Sequence, residues 1–280
     1  MNIALRIINF CYFLFVLSSS VHAQKSKALP FAHAHNDYEK IFRKDFKSAV
    51  KAGCTSIEID VFPRKGRLKI AHIPLFLNFR RDLEQRYLLP LRNYIAENGH
   101  LYSDPNVKLI LMVDVKRNAA EAYAQLKSLG EKYSDLLTIR YAGSDSVKQG
   151  PIEILVSGSK PYDELLRDSV RYMQIDGGFG NIGDPKFNSD LVPRVSSSYG
   201  GHFRWRGRGE ISEKELAFLR DLVKRAHNDG RQVRFWAMPN RLKVWELMRR
   251  EGVDWLNVDR IKKLKWLKKG AGVYITHPKY

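Results

Sequence analysis

Seven side chains that could transfer protons, bind a cation or carry a positive charge come directly after short apolar segments of this sequence. They are His33, His35, Glu58, Asp60, His72, Asp114 and Lys116. An imidazole changes its charge near neutral pH and is therefore suited to acid and base catalysis. Carboxylates without cysteine or a compact histidine set favour a hard divalent cation, Mg2+ or Ca2+, over zinc. The combination predicts a site in which imidazoles and a cation act together.

The spacing of the acidic residues indicates which elements must hold them. In CTSIEIDVF, side chains alternate between the two faces of a predicted strand, so Glu58 and Asp60 point the same way. The tripeptide KGR then predicts a turn into LKIAHI, a hairpin-like return that ends at His72. In VKLILMVDVK, a nearly continuous apolar run becomes polar only at Asp114 and Lys116, which is typical of a parallel strand covered on both faces.

Eight apolar segments predict strands, and amphipathic segments between several of them predict helices. The strands centre on Phe31, Ile57, Ile110, Ile154, Met173, Val195, Val233 and Trp255. The clearest helices span residues 119–133, 213–228 and 242–251. A ninth apolar run, LLTIRY, is interpreted as an edge or connecting piece. This order predicts an α/β fold, a (β/α)8 TIM barrel in a single domain, with its active site at the carboxyl ends of the strands.

The first 23 residues, MNIALRIINFCYFLFVLSSSVHA, combine one basic residue, an apolar stretch and a small-residue ending. This pattern predicts a signal peptide that is cleaved after Ala23, and an exported protein that is periplasmic or secreted. The apolar core from Ile7 to Leu17 is shorter than the roughly 20 residues of a membrane-spanning helix. Residues 24–280 are predicted to form the barrel domain, with Cys54 as the sole cysteine and no intramolecular disulfide.

The chain has a formal net charge of +18, with basic residues scattered along its length. This excess favours an anionic ligand or surface, including peripheral contact with anionic membrane lipid. No basic region is interleaved with stacking aromatic residues, so specific nucleic-acid binding is not predicted. The sequence does not indicate an oligomeric state.

Four motifs, FAHAHND, SIEIDVF, IAH and LMVDVK, resemble those of the glycerophosphodiester phosphodiesterase and phosphatidylinositol phospholipase C-like superfamily. The nearest pattern is the branch marked by His-x-His-Asn-Asp-Tyr, which is also similar to sphingomyelinase D. The likeness continues through VSGSKP, DGGFGN, AHNDGRQVRFWAMPN and GVDWLNVDR, so it spans nearly the whole predicted mature chain. The resemblance implies a TIM barrel and an exported, metal-dependent phosphodiesterase that acts on a glycerophosphodiester or a phospholipid-type phosphodiester.

The resemblance also implies a role for each matching residue. The implied catalytic residues are His33 and His72, the implied metal ligands are Glu58, Asp60 and Asp114, and the implied substrate-binding residues are Lys116, His35, Asn36 and Trp236. His35 is interpreted mainly as a support that fixes His33 through a hydrogen bond, with contact to the phosphate or the metal as alternatives. Trp236 is interpreted as pocket wall or as barrel packing.

One imidazole would deprotonate an attacking hydroxyl or water, and the other would protonate the departing alkoxide. Attack by an adjacent substrate hydroxyl would make the enzyme a cyclising lyase and not a hydrolase. The sequence departs from typical glycerophosphodiesterases, because the Glu-Asn-Thr segment after the first histidine is missing and Ile73 follows His72 where an acidic residue is usual. These departures weaken the prediction of glycerophosphodiester specificity.

Two other functions remain open at this point. A histidine pair at the end of a first barrel strand is also how amidohydrolases and polymerase-histidinol-phosphatase-like metal hydrolases begin. Those enzymes need further histidines at later strand ends, whereas His100, His202, His227 and His277 fall in predicted helices, loops or the tail. The other alternative is a catalytically silent barrel that binds anionic lipid or cell-wall polymer, against which the presence of His33 and His72 argues.

Overall fold

The structure of the protein, a computed structural model, describes residues 25–35, 46–74, 77 and 81–264. The predicted signal peptide, residues 1–23, and the predicted substrate-binding residue Asn36 lie outside the described residues. Cleavage after Ala23 and the extent of the barrel domain therefore stay predictions. None of the described helices is both long and apolar enough to cross a bilayer.

Eight parallel strands form a closed barrel, and four shorter strands lie outside it. In chain order the strands are β1 (Leu29–Ala34), β2 (Cys54–Arg64), β3 (Arg67–Ile70), β4 (Leu109–Val115), β5 (Ile139–Tyr141), β6 (Val147–Lys148), β7 (Ile152–Gly158), β8 (Val170–Arg171), β9 (Gln174–Gly177), β10 (Arg194–Ser198), β11 (Gln232–Trp236) and β12 (Trp255–Val258). The barrel order is β1-β2-β4-β7-β9-β10-β11-β12, and β12 pairs with β1 to close it. The predicted TIM barrel is confirmed.

The predicted strand positions agree closely with these strands, since seven of the eight predicted centres lie within a barrel strand and Met173 comes one residue before β9. The segment LLTIRY contains β5, which pairs with β6 and β8 in a separate three-stranded sheet. Its interpretation as a connecting piece is therefore confirmed. The apolar strand pattern was informative because parallel barrel strands are covered on both faces.

Seven α-helices are described in the structure. They are α1 (Phe46–Ala52), α2 (Leu89–Asn98), α3 (Ala119–Lys132), α4 (Tyr162–Arg167), α5 (Tyr199–His202), α6 (Glu213–Asn228) and α7 (Leu242–Arg250). Side-chain caps begin the two longest: Asn118 accepts a hydrogen bond from the Glu121 amide, and Ser212 accepts one from the Glu215 amide. A π-helical turn at Glu84–Leu88 leads into α2, and short 3-10 turns occupy Phe179–Asn181 and Ile261–Lys263.

A tight hairpin joins β2 to β3, the one strand of the main sheet that runs antiparallel. Its turn residues, Lys65 and Gly66, have φ angles of 49° and 72°, as a type I′ turn requires. Beyond β3, the Ala71 amide donates a hydrogen bond to the carbonyl oxygen of Asp60 at 3.1 Å. The return of the chain therefore brings the next residue, His72, beside the acidic end of β2.

The barrel interior is polar at its centre, although the strands are apolar on their outer faces. Along β2, the outward residues Ile57 and Ile59 are buried under the helices, while the alternate residues Ser56, Glu58 and Asp60 are buried inside the barrel. Polar residues of other strands are also buried there, namely His33, Asp176, Arg194, Arg234 and Asn257. Buried polar and charged groups are stable only when they are paired, so these side chains must satisfy one another or a ligand.

Candidate active site

A cavity of about 960 Å³ opens at the carboxyl ends of the barrel strands. It is lined by His35, Glu58, His72, Met112, Asp114, Lys116, Ser157, Gly158, Lys160, Asp176, Gly177, Ser196, Arg234, Trp236, Ala237 and Asp259. Six of the residues singled out from the sequence therefore meet in one cavity, although they come from five different parts of the chain. The cavity lies where the active sites of TIM-barrel enzymes are found.

Three carboxylates form a compact cluster at this cavity, whose lining includes Glu58 and Asp114. Oxygen atoms of Glu58, Asp60 and Asp114 all lie within 4.8 Å of one another. Glu58 and Asp60 are on the same face of β2, and Asp114 is level with Asp60 on the neighbouring strand β4. Oδ1 of Asp60 is buried and accepts no hydrogen bond of good geometry, although Nζ of Lys116 is 3.0 Å away. An under-satisfied buried oxygen among three carboxylates fits a hard divalent cation.

Lys116 supplies positive charge beside this cluster. Its Nζ is 2.5 Å from Oδ2 of Asp114 and 3.0 Å from Oδ1 of Asp60. Burial lowers the pKa of Lys116, but the hydrogen bonds and charges of the two aspartates outweigh burial and raise it. Ser157 donates a hydrogen bond from Oγ to Oδ1 of Asp114 at 2.9 Å, which orients that carboxylate.

His33 lies beneath the cavity and is completely buried. Its Nδ1 is hydrogen-bonded to Oγ of Ser56 at 2.8 Å, and its Nε2 to Oε2 of Glu58 at 3.1 Å. Burial holds the pKa of His33 well below the usual value, and the charge of Arg234 adds to the effect. His33 is not among the described residues that line the cavity.

His35 lines the cavity, with its side chain 26% exposed. Its Nδ1 is 3.0 Å from Oδ1 of Asp259, and its Nε2 is 3.4 Å from Oε1 of Glu58. Burial lowers the pKa of His35, but the hydrogen bonds to Asp259 and Glu58 outweigh burial and raise it to about 9.

The order of the two histidines differs from the sequence prediction, which placed His33 against the substrate and His35 behind it. Residues two apart on a strand share a face, so both imidazoles point into the barrel. His33 is level with Ser56 and Asn257 in the middle of the barrel, whereas His35 comes after the last residue of β1 and is closer to the mouth. The alternation of side chains along a strand predicted that both imidazoles point into the barrel, but it did not predict how far each lies from the mouth of the barrel.

His72 lies on another wall of the same cavity, with its side chain 53% exposed. Its Nδ1 is 2.6 Å from Oδ2 of Asp60. Both cavity imidazoles are thus contacted at Nδ1 by a carboxylate. Such a carboxylate contact fixes the orientation of an imidazole ring.

Arg234 is a central residue of the site that the sequence interpretation missed. Its Nη2 donates hydrogen bonds to Oε2 of Glu58 at 2.6 Å and to Oδ1 of Asn257 at 2.7 Å, and its Nη1 is 3.5 Å from Oδ2 of Asp176. Burial tends to raise the pKa of Glu58, but the charge of Arg234 and the histidine contacts outweigh burial and hold that pKa well below its usual range. The sequence did contain a feature that could have identified Arg234, because it stands two residues before Trp236 and therefore on the same face of the predicted strand.

The wall opposite the carboxylate cluster carries groups that could contact the rest of a substrate. Trp236 ends β11 and is 46% exposed, and Ala237 next to it has a φ of 53°. Ser196 donates a hydrogen bond from Oγ to Oδ1 of Asp176 at 2.7 Å, while burial raises the pKa of that aspartate. Lys160 adds a second lysine to the lining. The cavity lining thus contains two lysines, hydrogen-bonding groups and an exposed indole.

A family model described as the AIM6-like phosphodiesterase domain matches residues 26–176, which is more than half of the 280-residue chain. The chain belongs to the AIM6-like phosphodiesterase family. The matched segment contains both cavity histidines, the three clustered carboxylates and Lys116. Membership in the phosphatidylinositol phospholipase C-like phosphodiesterase superfamily is confirmed, whereas the nearer likeness to sphingomyelinase D stays a prediction.

Two fungal relatives of this AIM6-like chain are similar along most of its length. An altered inheritance of mitochondria protein 6 homolog from Arthroderma benhamiae is 25% identical, over 83% of this chain and 82% of that protein. Altered inheritance of mitochondria protein 6 from Eremothecium gossypii is 27% identical, over 81% of this chain and 66% of that protein. These names refer to mitochondrial inheritance and state no chemical activity.

Two solved structures share the fold of the AIM6-like chain. Calcium-dependent phosphoinositol-specific phospholipase C from a Gram-negative Pseudomonas species has a TM-score of 0.56 and 15% identity, covering 82% of this chain and 88% of that one. Phosphatidylinositol-specific phospholipase C from Listeria monocytogenes has a TM-score of 0.50 and 14% identity, covering 89% of this chain and 94% of that one. The family and the fold together support a phosphodiester-cleaving function.

Proposed function

We propose that the protein is an exported, metal-dependent phosphodiesterase that cleaves a phospholipid-type phosphodiester or a glycerophosphodiester. The observation that carries this proposal is the meeting of two carboxylate-held imidazoles, a cluster of three carboxylates and a lysine in one cavity of the barrel. Acid–base groups, a cation site and fixed positive charge are the parts that cleavage of a phosphodiester needs.

Glu58, Asp60 and Asp114 would hold the divalent cation, Mg2+ or Ca2+. Their oxygen atoms are close enough to share one ion, and Oδ1 of Asp60 lacks a hydrogen-bond partner of good geometry. A bound cation would supply positive charge next to the phosphoryl oxygens. The Pseudomonas phospholipase C that shares this fold is described as calcium-dependent, so Ca2+ is one of the two ions to test.

We assign acid–base catalysis to His35 and His72, which both line the cavity. One imidazole accepts the proton of the attacking water or substrate hydroxyl, and the other donates a proton to the departing alkoxide oxygen. Asp259 and Asp60 contact Nδ1 of these rings and stabilise each imidazolium while it carries the extra proton. His33 supports the site from below through its hydrogen bond to Glu58.

The charge distribution supports an anionic, membrane-derived substrate. Lys116 and Lys160 line the cavity and are positioned to contact phosphoryl oxygens, while the exposed face of Trp236 is suited to the remainder of the substrate. The net charge of +18 favours peripheral contact of an exported protein with anionic lipid. The two solved structures that share this fold are named as a phosphatidylinositol-specific and a phosphoinositol-specific phospholipase C.

The proposal is tested by assaying phosphatidylinositol, sphingomyelin, lysophospholipids and glycerophosphodiesters with Mg2+, with Ca2+ and with a chelator. We expect turnover of at least one phosphodiester, loss of turnover with the chelator and with His72→Ala, and release of either a phosphomonoester or a cyclic phosphate. Hydrolysis of an amide or a phosphomonoester alone would contradict the proposal and favour the amidohydrolase-like alternative. No turnover by a folded protein that still binds anionic vesicles would favour the silent barrel.

A further inference from the structure

A second cavity, of about 380 Å³, lies at the opposite end of the barrel from the candidate active site. Its lining includes the first residues of three barrel strands, Gln174, Arg194 and Gln232, and the second residue of β7, Glu153. Arg140 and Arg231 also line it. The amino-terminal face of a TIM barrel normally contributes stability and not catalysis, so a polar cavity with three arginines there requires an explanation.

Arg194 is the unusual member of this lining, because its guanidinium is buried without a carboxylate partner. It is 1% exposed, and it forms no salt bridge with any residue that the structure describes. Its Nη1 has only distant contacts, to Oγ of Ser56 at 3.5 Å and to Sδ of Met112 at 4.0 Å. Its Nε and Nη2 have no hydrogen-bond partner, and the guanidinium carbon lies 4.1 Å from the ring centroid of Trp255.

The other charges around the cavity are already compensated. Arg231 is 2.5 Å from a carboxylate oxygen of Asp229, and Arg140 is 3.1 Å from one of Asp190. Glu153 is 2.9 Å from Nζ of Lys108 and 3.6 Å from Nη2 of Arg140, so these two basic residues balance its negative charge. The charges of Asp176 and Asp254 act on Arg194 without a direct ion pair, so Arg194 is the one arginine of this lining that has no salt bridge among the described residues.

We propose that this second cavity binds a small oxyanion, either inorganic phosphate or the phosphate group of a small phosphorylated molecule. Buried N–H groups without hydrogen-bond partners are unfavourable, and an oxyanion beside Arg194 would accept hydrogen bonds from them. Gln232 accepts a hydrogen bond at Oε1 from Nε1 of Trp255, which leaves the amide hydrogens on its Nε2 for a ligand. The volume falls in the range of small-molecule sites, so it also accommodates an organic group attached to the phosphate.

Burial lowers the pKa of Arg194 to about 10, so the side chain remains a cation at neutral pH. The site is separate from the proposed catalytic chemistry, because its lining shares no residue with the upper cavity. The proposal therefore does not depend on the protein being a phosphodiesterase.

The test is thermal unfolding of the full chain in increasing inorganic phosphate or glycerol phosphate, with sodium chloride added to keep the ionic strength constant. Three proteins are compared: wild type, Lys116→Met at the upper cavity, and Arg194→Met at the lower one. At a phosphate concentration about 100 times the dissociation constant, the unfolding equilibrium constant should fall about 100-fold in wild type. We expect the same response in Lys116→Met and none in Arg194→Met.

Arg194→Met should fold, since replacing an unpaired buried cation with an apolar side chain of similar length removes a destabilising charge. Should it fail to fold, Arg140→Gln at the more exposed edge of the cavity provides a second test, and it should weaken the phosphate response. The tighter of the two ligands identifies the source of the phosphate group. A full response in Arg194→Met, an unchanged response in Arg140→Gln, or loss of the response in Lys116→Met would overturn the proposal.

Discussion

Replacing His35 with alanine should abolish most turnover and leave the fold nearly unchanged. Replacing His33 with alanine should instead destabilise the fold and preserve most of the turnover of the molecules that remain folded. His35 lines the cavity and is partly exposed, while His33 is fully buried and is absent from the described cavity lining. The two substitutions remove the same side chain from positions two residues apart, one within β1 and one directly after it. Each variant is therefore the matched control for the other.

The expected sizes follow from the contacts of each histidine. Loss of a general acid or base typically lowers the rate about 10²- to 10⁴-fold, which is about 2.7 to 5.5 kcal/mol in activation free energy. His33 makes buried hydrogen bonds to Ser56 at 2.8 Å and to Glu58 at 3.1 Å. Leaving buried polar partners unsatisfied costs about 1–3 kcal/mol each, so loss of both contacts in His33→Ala should lower the free energy of unfolding by about 2–6 kcal/mol.

The assay combines turnover of a phosphodiester with urea unfolding, and the rate is divided by the folded fraction at the assay temperature. His35→Ala should lower the free energy of unfolding less than His33→Ala does, because the ion pair of His35 with Asp259 is partly exposed to solvent and therefore partly screened. The assignment would be refuted if fully folded His33→Ala were inactive while His35→Ala kept the wild-type rate.

Three further predictions concern the cation, the buried arginine and the pH dependence. Asp60→Asn should lose calorimetric Mg2+ and Ca2+ binding and most turnover, whereas unchanged binding would exclude the carboxylate cluster as the cation site. Arg234→Met leaves Glu58 buried without its cation and should lower the free energy of unfolding by about 3–5 kcal/mol in urea, whereas Arg220→Met at the surface should have a much smaller effect. Hydrogen bonding to Arg220 lowers the pKa of Glu251, so the stabilisation by this carboxylate is present above its unfolded pKa and is lost as the pH falls through the lower folded value. The difference in unfolding free energy between wild type and Glu251→Gln should therefore shrink on acidification below about pH 4.3, and a difference that grows there would contradict the pairing.

The barrel could be predicted well from the sequence because the patterns that identify each strand are local. An apolar run such as VKLILMV identifies a strand covered on both faces, and the polar residues that end it identify the catalytic edge. Glu58, Asp60 and Asp114 could be grouped in this way, since alternation and parallel pairing bring them together.

Depth within the barrel and long-range pairing could not be obtained from the sequence. Alternation assigns His33 and His35 to one face but does not show which is closer to the mouth, since that depends on the register against β2 and β12. The role of Arg234 depends on a contact with Glu58, which is 176 residues away in the chain. The unsatisfied N–H groups of Arg194 are a property of its surroundings in space and have no counterpart in the local sequence pattern.

The two cavity imidazoles are carried by different kinds of support. His35 follows β1, a member of the closed barrel, whereas His72 follows β3, which is attached to the main sheet through its antiparallel pairing with β2. Adding or removing a pair of residues in that hairpin would move His72 relative to His35 while all eight barrel strands kept their partners. The distance between the two imidazoles to which we assign proton transfer can thus be altered without rebuilding the core.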